Sequence, residues 1–230
     1  MEVIKAEKLT KRFGKIVALD GVTVEIPEGT NLILGPNGGG KSTFFKLVTG
    51  VYRPTSGKIR LFGGDPWKDA EVREKIGVAY DPVSFPPLIP GGEWIEFIAK
   101  SKGYGEEEVE RVRKLFDLDF LDEQTRNYSS GMLKKLAIAQ AFVGNPQLVM
   151  IDEPLANLDF ESMGMFVRLL RREKDERSFL IISHIWEPLM PVVDRIYVIA
   201  GGKLILSGEK EGVKDEVERL FKPPMEEPQR

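Results

Sequence analysis

The sequence predicts an α/β fold with an antiparallel β portion towards its N-terminus and an inserted helical subdomain, and three patterns carry that expectation. Residues 148–151 and 179–182 are short, unbroken apolar runs, as parallel strands buried on both faces require. Residues 3–6, 16–26 and 58–62 are β-rich and punctuated by turn residues. Residues 93–101 and 106–116 instead carry apolar side chains at helical spacing, behind a loop containing Pro86, Pro87, Pro90, Gly91 and Gly92. At 230 residues, 42% hydrophobic and 30% charged, the chain is long enough for one large domain with a real core.

Taken in order, residues 3–6 and 16–26 read as strands, the second broken at Asp20 and Gly21. Residues 31–34 form a short buried strand that runs into a glycine-rich loop. After Lys41 the pattern turns helical, with Phe44, Phe45, Leu47 and Val48 on an apolar face that ends at Gly50. A strand over 58–62 leaves the turn at Thr55, Ser56 and Gly57, and 76–80 is another buried strand. Trp94, Phe97 and Ile98 mark one inserted helix; Val109, Val112, Leu115 and Phe116 mark a second. Residues 83–128 are therefore expected to form the helical subdomain, and residues 1–82 with 129–211 the α/β core. A helix over 130–144 places Leu133, Leu136, Ala137, Gln140 and Ala141 on one face. Residues 195–200 and 203–207 flank Gly201 and Gly202 as a hairpin, and residues 212–230 comprise a charged helix and a proline-rich tail expected to fray.

Composition excludes several functions. A net charge of -3 leaves no basic footprint for nucleic acid, so no nucleic-acid partner is expected. The absence of cysteine removes disulfides, thiolate metal sites and cysteine nucleophiles, and fits a reducing cytoplasm. The N-terminal stretch lacks the apolar core of a signal peptide. The longest apolar runs fall far short of the roughly 20 residues a membrane helix needs. A membrane pore, if one is served, has to come from another chain.

The glycine-rich loop is Gly35, Pro36, Asn37, Gly38, Gly39, Gly40, Lys41, Ser42 and Thr43, a complete Walker A pattern between a strand and a helix. It predicts a P-loop NTPase core. Glycines let backbone N–H groups converge on phosphates, and the helix adds the positive end of its dipole. Lys41 is expected on the β- and γ-phosphates, Ser42 on Mg²⁺ and Thr43 on the α-phosphate. Asp152 and Glu153 close a buried strand, with adjacent side chains pointing in different directions. Ser129, Ser130 and Gly131 open a helix and offer a second anion-binding N-terminus. His184, the one histidine of the chain, follows a further buried strand. Asp159 is placed to cap the next helix.

The ordered set, GPNGGGKST at 35–43, YSSGM at 128–132, LVMIDEP at 148–154 and Ser183 with His184, resembles the nucleotide-binding subunit of ABC (ATP-binding cassette) transporters over nearly the whole chain. The resemblance implies ATP and Mg²⁺ as cofactors, with Asp152 positioning the metal and Glu153 polarising the attacking water. It implies that His184 contacts the γ-phosphate and that Phe13, flanked by Val17, stacks on adenine. It further implies that Ser129, Ser130 and Gly131 reach the ATP of a second subunit, with Asp159 at the interface, in a head-to-tail homodimer or cassette heterodimer. A separate transmembrane permease is the implied partner, which would place the chain in the cytoplasm, peripheral on the inner face of the cell membrane. The YSSGM wording resembles exporter cassettes of the ABC-2 and drug-exporter kind. A non-transport clamp is the alternative, but one cassette without heptads or long insertions favours transport.

The signature departs from the family's commonest wording at Tyr128, Ser130 and Met132 and keeps Ser129 and Gly131, and two further positions depart from the family pattern. Gly39 stands where many members carry Ser or Ala, at a cost of about 0.5–1 kcal/mol in loop order relative to Ala. Asp81 stands where glutamine touches Mg²⁺ and the attacking water; as an aspartate it is expected to ligate Mg²⁺ with Ser42 and Asp152, but it adds charge, is one methylene shorter, and is expected to slow hydrolysis relative to an Asp81→Gln variant. The segment that follows, with Phe85, Leu88 and Trp94, is a candidate groove for a membrane partner's helix, or else subdomain core.

Overall fold

The structure is a computed structural model that describes residues 2–156 and 158–221. Strands β1 (Glu2–Phe13) and β2 (Ile16–Pro27) pair antiparallel. Strand β3 (Thr30–Leu34) feeds the glycine-rich loop and then α1 (Lys41–Val48). Next come β4 (Ser56–Leu61), a short α2 (Ala70–Glu74) and β5 (Ile76–Ala79). Two helices, α3 (Gly91–Ser101) and α4 (Glu106–Phe116), precede α5 (Ser130–Gln140) and pack with it. The chain continues through β6 (Leu148–Asp152), α6 (Phe160–Glu173) and β7 (Ser178–Ile182). It ends with the hairpin β8 (Arg195–Ala200) and β9 (Lys203–Glu209), followed by α7 (Lys210–Phe221).

These strands make two sheets. A three-stranded antiparallel sheet runs β2-β1-β4, and a six-stranded sheet runs β5-β6-β7-β3-β8-β9, parallel except for β9. The unbroken apolar runs follow from that layering. Val149, Ile151, Phe179 and Ile181 enter the core shared with the inserted helices, whereas Leu148, Met150, Leu180 and Ile182 enter the core shared with α1 and the antiparallel sheet. Side chains alternate across a strand, so a strand between two cores has no face left for polar residues.

Local propensity was overruled in a few places. The break expected at Asp20 and Gly21 is a kink within continuous β2: Gly21 takes φ 66° and its N–H donates to Thr10 Oγ1 at 3.0 Å, while β1 continues alongside with shifts of register. Strand pairing supplies the order that the local sequence lacks. Helix α3 starts at Gly91 rather than 93 because Pro90, at φ -56°, is fixed for helix entry. Helix α5 stops at Gln140 rather than 144, its last residues tightening into turns. Helix α2 has no counterpart in the apolar periodicity; it is capped by Asp69, which accepts from the Glu71 N–H at 2.9 Å. The proline-rich tail and Asn157 lie outside the described residues.

Four neighbouring strands, β5, β6, β7 and β3, end on the same edge of the parallel sheet. Asp81, Glu153, His184 and the glycine-rich loop follow those four ends. Ligands of open α/β sheets bind at the carboxyl ends of the strands.

Candidate nucleotide site

The glycine-rich loop leaves β3 in conformations that side chains resist. Gly35, Gly38 and Gly40 have φ of 149°, 74° and 109°, and a Cβ on Gly35 would overlap the carbonyl oxygen of Ile199. Gly39 also has a packing role: a Cβ there would sit 2.8 Å from Ile199 O and 2.9 Å from Pro36 O. The residue that looks like a loss of loop order in sequence thus admits β8 to close range. Gly40 caps α1 with no side chain, leaving the first-turn N–H groups directed at the cavity.

That cavity, of about 300 Å³, is lined by Asn37, Gly38, Gly39, Gly40, Lys41, Ser42, Thr43, Asp81, Asp152 and Glu153, with Ala18 on its rim. Lys41 is buried, and its Nζ donates to Gly35 O at 2.7 Å and Pro36 O at 3.1 Å, closing the loop on itself. Burial holds this ammonium below the usual lysine range, while the charges of Glu153 and Asp152 oppose that shift.

Glu153 is held in an unusual backbone state. Its φ is 50°, a left-handed conformation that costs an L-residue about 1–2 kcal/mol. Its N–H donates to Ile182 O at 2.8 Å, and its carbonyl accepts from Lys134 Nζ at 2.9 Å. Its carboxylate accepts from the His184 N–H at 3.1 Å and lies 2.7 Å from His184 Nδ1. His184 is half exposed, so its ring reaches outward from this contact.

Asp152 shows what the site lacks among its own atoms. The carboxylate is buried, its Oδ1 has no hydrogen-bond partner, and Ser42 lines the same cavity. Burial, then the charge of Glu153, push Asp152 up to about 6 against the pull of Ser42. A cation bound by Asp152 and Ser42 would relieve both deficits, so these residues fit Mg²⁺. Asp81 reaches the same cavity, but its Oδ1 accepts from Lys134 Nζ at 2.6 Å.

This shift has a thermodynamic sign. Between about pH 4 and 6 the native chain keeps a proton on Asp152 that the unfolded chain has released, so stability falls as pH rises through that window. The penalty above it is about 3 kcal/mol. We expect Asp152→Asn to raise the melting temperature at pH 8 without divalent ions. Added Mg²⁺ should stabilise the wild type and leave Asp152→Asn unaffected; thermal unfolding with and without chelator measures both.

Other expected site residues lie elsewhere. Phe13 and Val17 are exposed near the end of the β1–β2 hairpin; Phe13 packs edge-on against Tyr52 at 5.2 Å with Lys11 Nζ 4.9 Å from its ring. Neither lines the cavity, although Ala18 beside Val17 does. Ser129 caps α5, its Oγ accepting from the Met132 N–H at 3.2 Å. Ser129, Gly131 and Asp159 line a separate groove, and Ser130 is exposed beside it. Asp159 caps α6 through the Ser162 N–H at 2.7 Å, which holds its carboxyl below the usual range, and the adjacent Phe160 is 92% exposed. Trp94 is tied into the fold, donating from Nε1 to Gln140 Oε1 at 2.7 Å, while Leu88 and Phe97 are exposed.

Residues 19–156 match the family model described as ABC transporter. The chain belongs to that family. Among relatives of this cassette, a putative ABC transporter ATP-binding protein of Methanopyrus kandleri is 33% identical, with 90% of this chain covering 82% of that one. A probable branched-chain amino acid transport ATP-binding protein of Archaeoglobus fulgidus is 32% identical, with 93% and 91% covered. A lantibiotic transport ATP-binding protein of Streptococcus pyogenes is 31% identical, with 95% and 96% covered. The solved dimeric structure of MJ0796, a bacterial ABC transporter cassette, superposes on the cassette with a TM-score of 0.81 at 25% identity, covering 90% of this chain and 98% of that one. Among the described residues of the cassette, no helix is long and apolar enough to cross a membrane.

Sequence reasoning missed Lys134 as a site residue. A lysine whose i+3, i+4 and i+7 neighbours are Ala137, Ile138 and Ala141 sits on a face otherwise apolar, and that pattern was the available signal.

Proposed function

We propose that this chain is the ATP-hydrolysing subunit of a membrane transporter, working through a dimer that sandwiches ATP between subunits. The observation that carries the reading is the convergence of Lys41, Ser42, Asp152 and Glu153 on one cavity, with His184 against Glu153. ATP enters with its phosphates against the α1 N-terminus, and Lys41 exchanges the carbonyls of Gly35 and Pro36 for phosphate oxygens. Asn37, Gly38 and Gly40 offer main-chain donors along the same track, and Thr43 meets the α-phosphate. Magnesium held by Ser42 and Asp152 neutralises charge on the phosphates when bound. Glu153 orients the attacking water and accepts its proton; His184, anchored on Glu153 through its main-chain N–H, turns its half-exposed ring to the γ-phosphate. Phe13 and Val17 serve as the adenine platform, at the hairpin end next to Ala18.

The exposed groove of Ser129 and Gly131, flanked by Ser130 and Asp159, is the face we assign to the ATP of a second subunit, in a homodimer or cassette heterodimer. Residues 83–128 are the helical subdomain that meets a separate permease, which holds the chain on the inner face of the membrane. The direction we assign is export, on the wording of residues 128–132. Relatives of similar identity are named both for glucose import and for lantibiotic transport, so overall identity does not decide it.

The test is a pull-down from detergent-solubilised native membranes with Glu153→Gln and Mg-ATP as bait. Recovery of a polytopic membrane protein in near-equal amount is expected, and its substrate-pathway architecture reports the direction. Soluble partners alone would replace transport with a clamp.

A further inference from the structure

The buried face of α5 carries a charge that the hydrolytic mechanism leaves unassigned. Lys134 shares that face with Ala137, Ile138 and Ala141 and is 6% exposed. A lysine so placed is costly unless its ammonium is paired and hydrogen-bonded. Here it is both: Nζ donates to Asp81 Oδ1 at 2.6 Å and to the main-chain oxygen of Glu153 at 2.9 Å. One side chain thus ties the segment after β5 to the residue that follows β6.

The second of those contacts falls on strained backbone. A residue with a Cβ stays at φ 50° only where its surroundings over-determine it. Glu153 has its N–H anchored on Ile182 O and its carboxylate on His184. Lys134 supplies the anchor on the carbonyl.

We propose that Lys134 is a positioning residue for hydrolysis: its ammonium clamps the main chain of Glu153 in the strained conformation that aims the carboxylate, and Asp81 is the counter-ion that holds the ammonium there. Lys134 touches no reacting atom and acts through Glu153, so the inference rests on the reading of Glu153 as the base. It also reverses an expectation from sequence. Asp81→Gln, expected from family wording to quicken turnover, should slow it, because it leaves a buried lysine without its counter-charge.

The experiment compares full-length wild type, Asp81→Gln, Lys134→Gln and the double variant, with Glu153→Gln as reference. Steady-state ATP hydrolysis is measured alongside thermal unfolding without nucleotide or magnesium. Each single variant should lose about tenfold or more in kcat with KM moved less than about threefold. Each should also melt about 5 °C or more below wild type. The double variant, uncharged at both positions, should exceed both singles in melting temperature, while its kcat stays within about threefold of Lys134→Gln because neither carries the ammonium that clamps Glu153. Singles too unstable to assay beside a folded double would likewise support the pair. A double no more stable than the singles would overturn it. So would singles that melt early yet keep kcat within about twofold of wild type, which is the behaviour of a structural lysine. A wild type no faster than Glu153→Gln would remove the base and the positioning role together; a wild type faster than Glu153→Gln but matched by Lys134→Gln would remove the positioning role alone.

Discussion

Glu153→Gln is expected to lower kcat for ATP hydrolysis by about 10²–10⁴-fold while leaving Mg-ATP affinity close to that of wild type. The amide keeps the size of the side chain and one oxygen to accept from the His184 N–H, so the geometry around residue 153 should persist. What it lacks is basicity: it cannot take the proton of the attacking water. With hydrolysis arrested and phosphates still bound, the ATP-bound dimer should accumulate. Light scattering with excess Mg-ATP should report about twice the monomer mass, and fluorescent-nucleotide titration should report retained binding. A monomer under those conditions would remove the sandwich from the mechanism, and a variant hydrolysing at the wild-type rate would remove Glu153 as the base.

The second large effect concerns Gly77, which bears on the site through its supports. Gly77 pairs with Val149 in the parallel sheet, and a Cβ there would overlap the carbonyl oxygen of Ala141 just past α5. Strand β5 leads to Asp81 in the nucleotide cavity and α5 carries Ser129, Gly131 and Lys134 of the separate groove near its start, so any displacement between them shifts one site against the other. Neither the backbone oxygen nor a strand tied to β6 by its ladder can step aside cheaply. Gly77→Ala is therefore expected to destabilise the protein by about 3 kcal/mol or more, a fall of about 6–12 °C in melting temperature. Gly212→Ala is the contrast: nothing lies within 4 Å of its would-be Cβ in helix α7, and it should gain up to about 1 kcal/mol. Equal melting temperatures for Gly77→Ala and wild type would show that β5 and α5 are free to separate.

Legibility followed the range of the interactions. The loop from Gly35 to Thr43 could be read because its strand, turn glycines and helix are contiguous, and each imposes its own residue type. The two-faced burial of residues 148–151 and 179–182 was readable for the same reason, since an unbroken apolar run is itself the signature. Strand β2 was misread at Asp20 and Gly21 because its order comes from pairing with β1, a partner whose register the local sequence does not state. Asp81 could be flagged as a departure but not explained, since its partner Lys134 lies 53 residues away on a helix face that looks apolar.

By itself, then, the sequence determined the motifs: a complete Walker A loop, two acids closing a buried strand, a serine-capped helix and a single histidine, all built of consecutive residues whose backbone demands are local. Only the tertiary structure decided how those groups are held. The order β5-β6-β7-β3 brings four strand ends to one edge. Closure of the fold leaves Asp152 Oδ1 buried without a partner, holds Glu153 at φ 50°, and sets Lys134 between Asp81 and the Glu153 carbonyl. The physical reason is that burial and strain belong to the assembled packing: a charge acquires its cost, and a strained residue its support, only when segments far apart in the chain exclude water together.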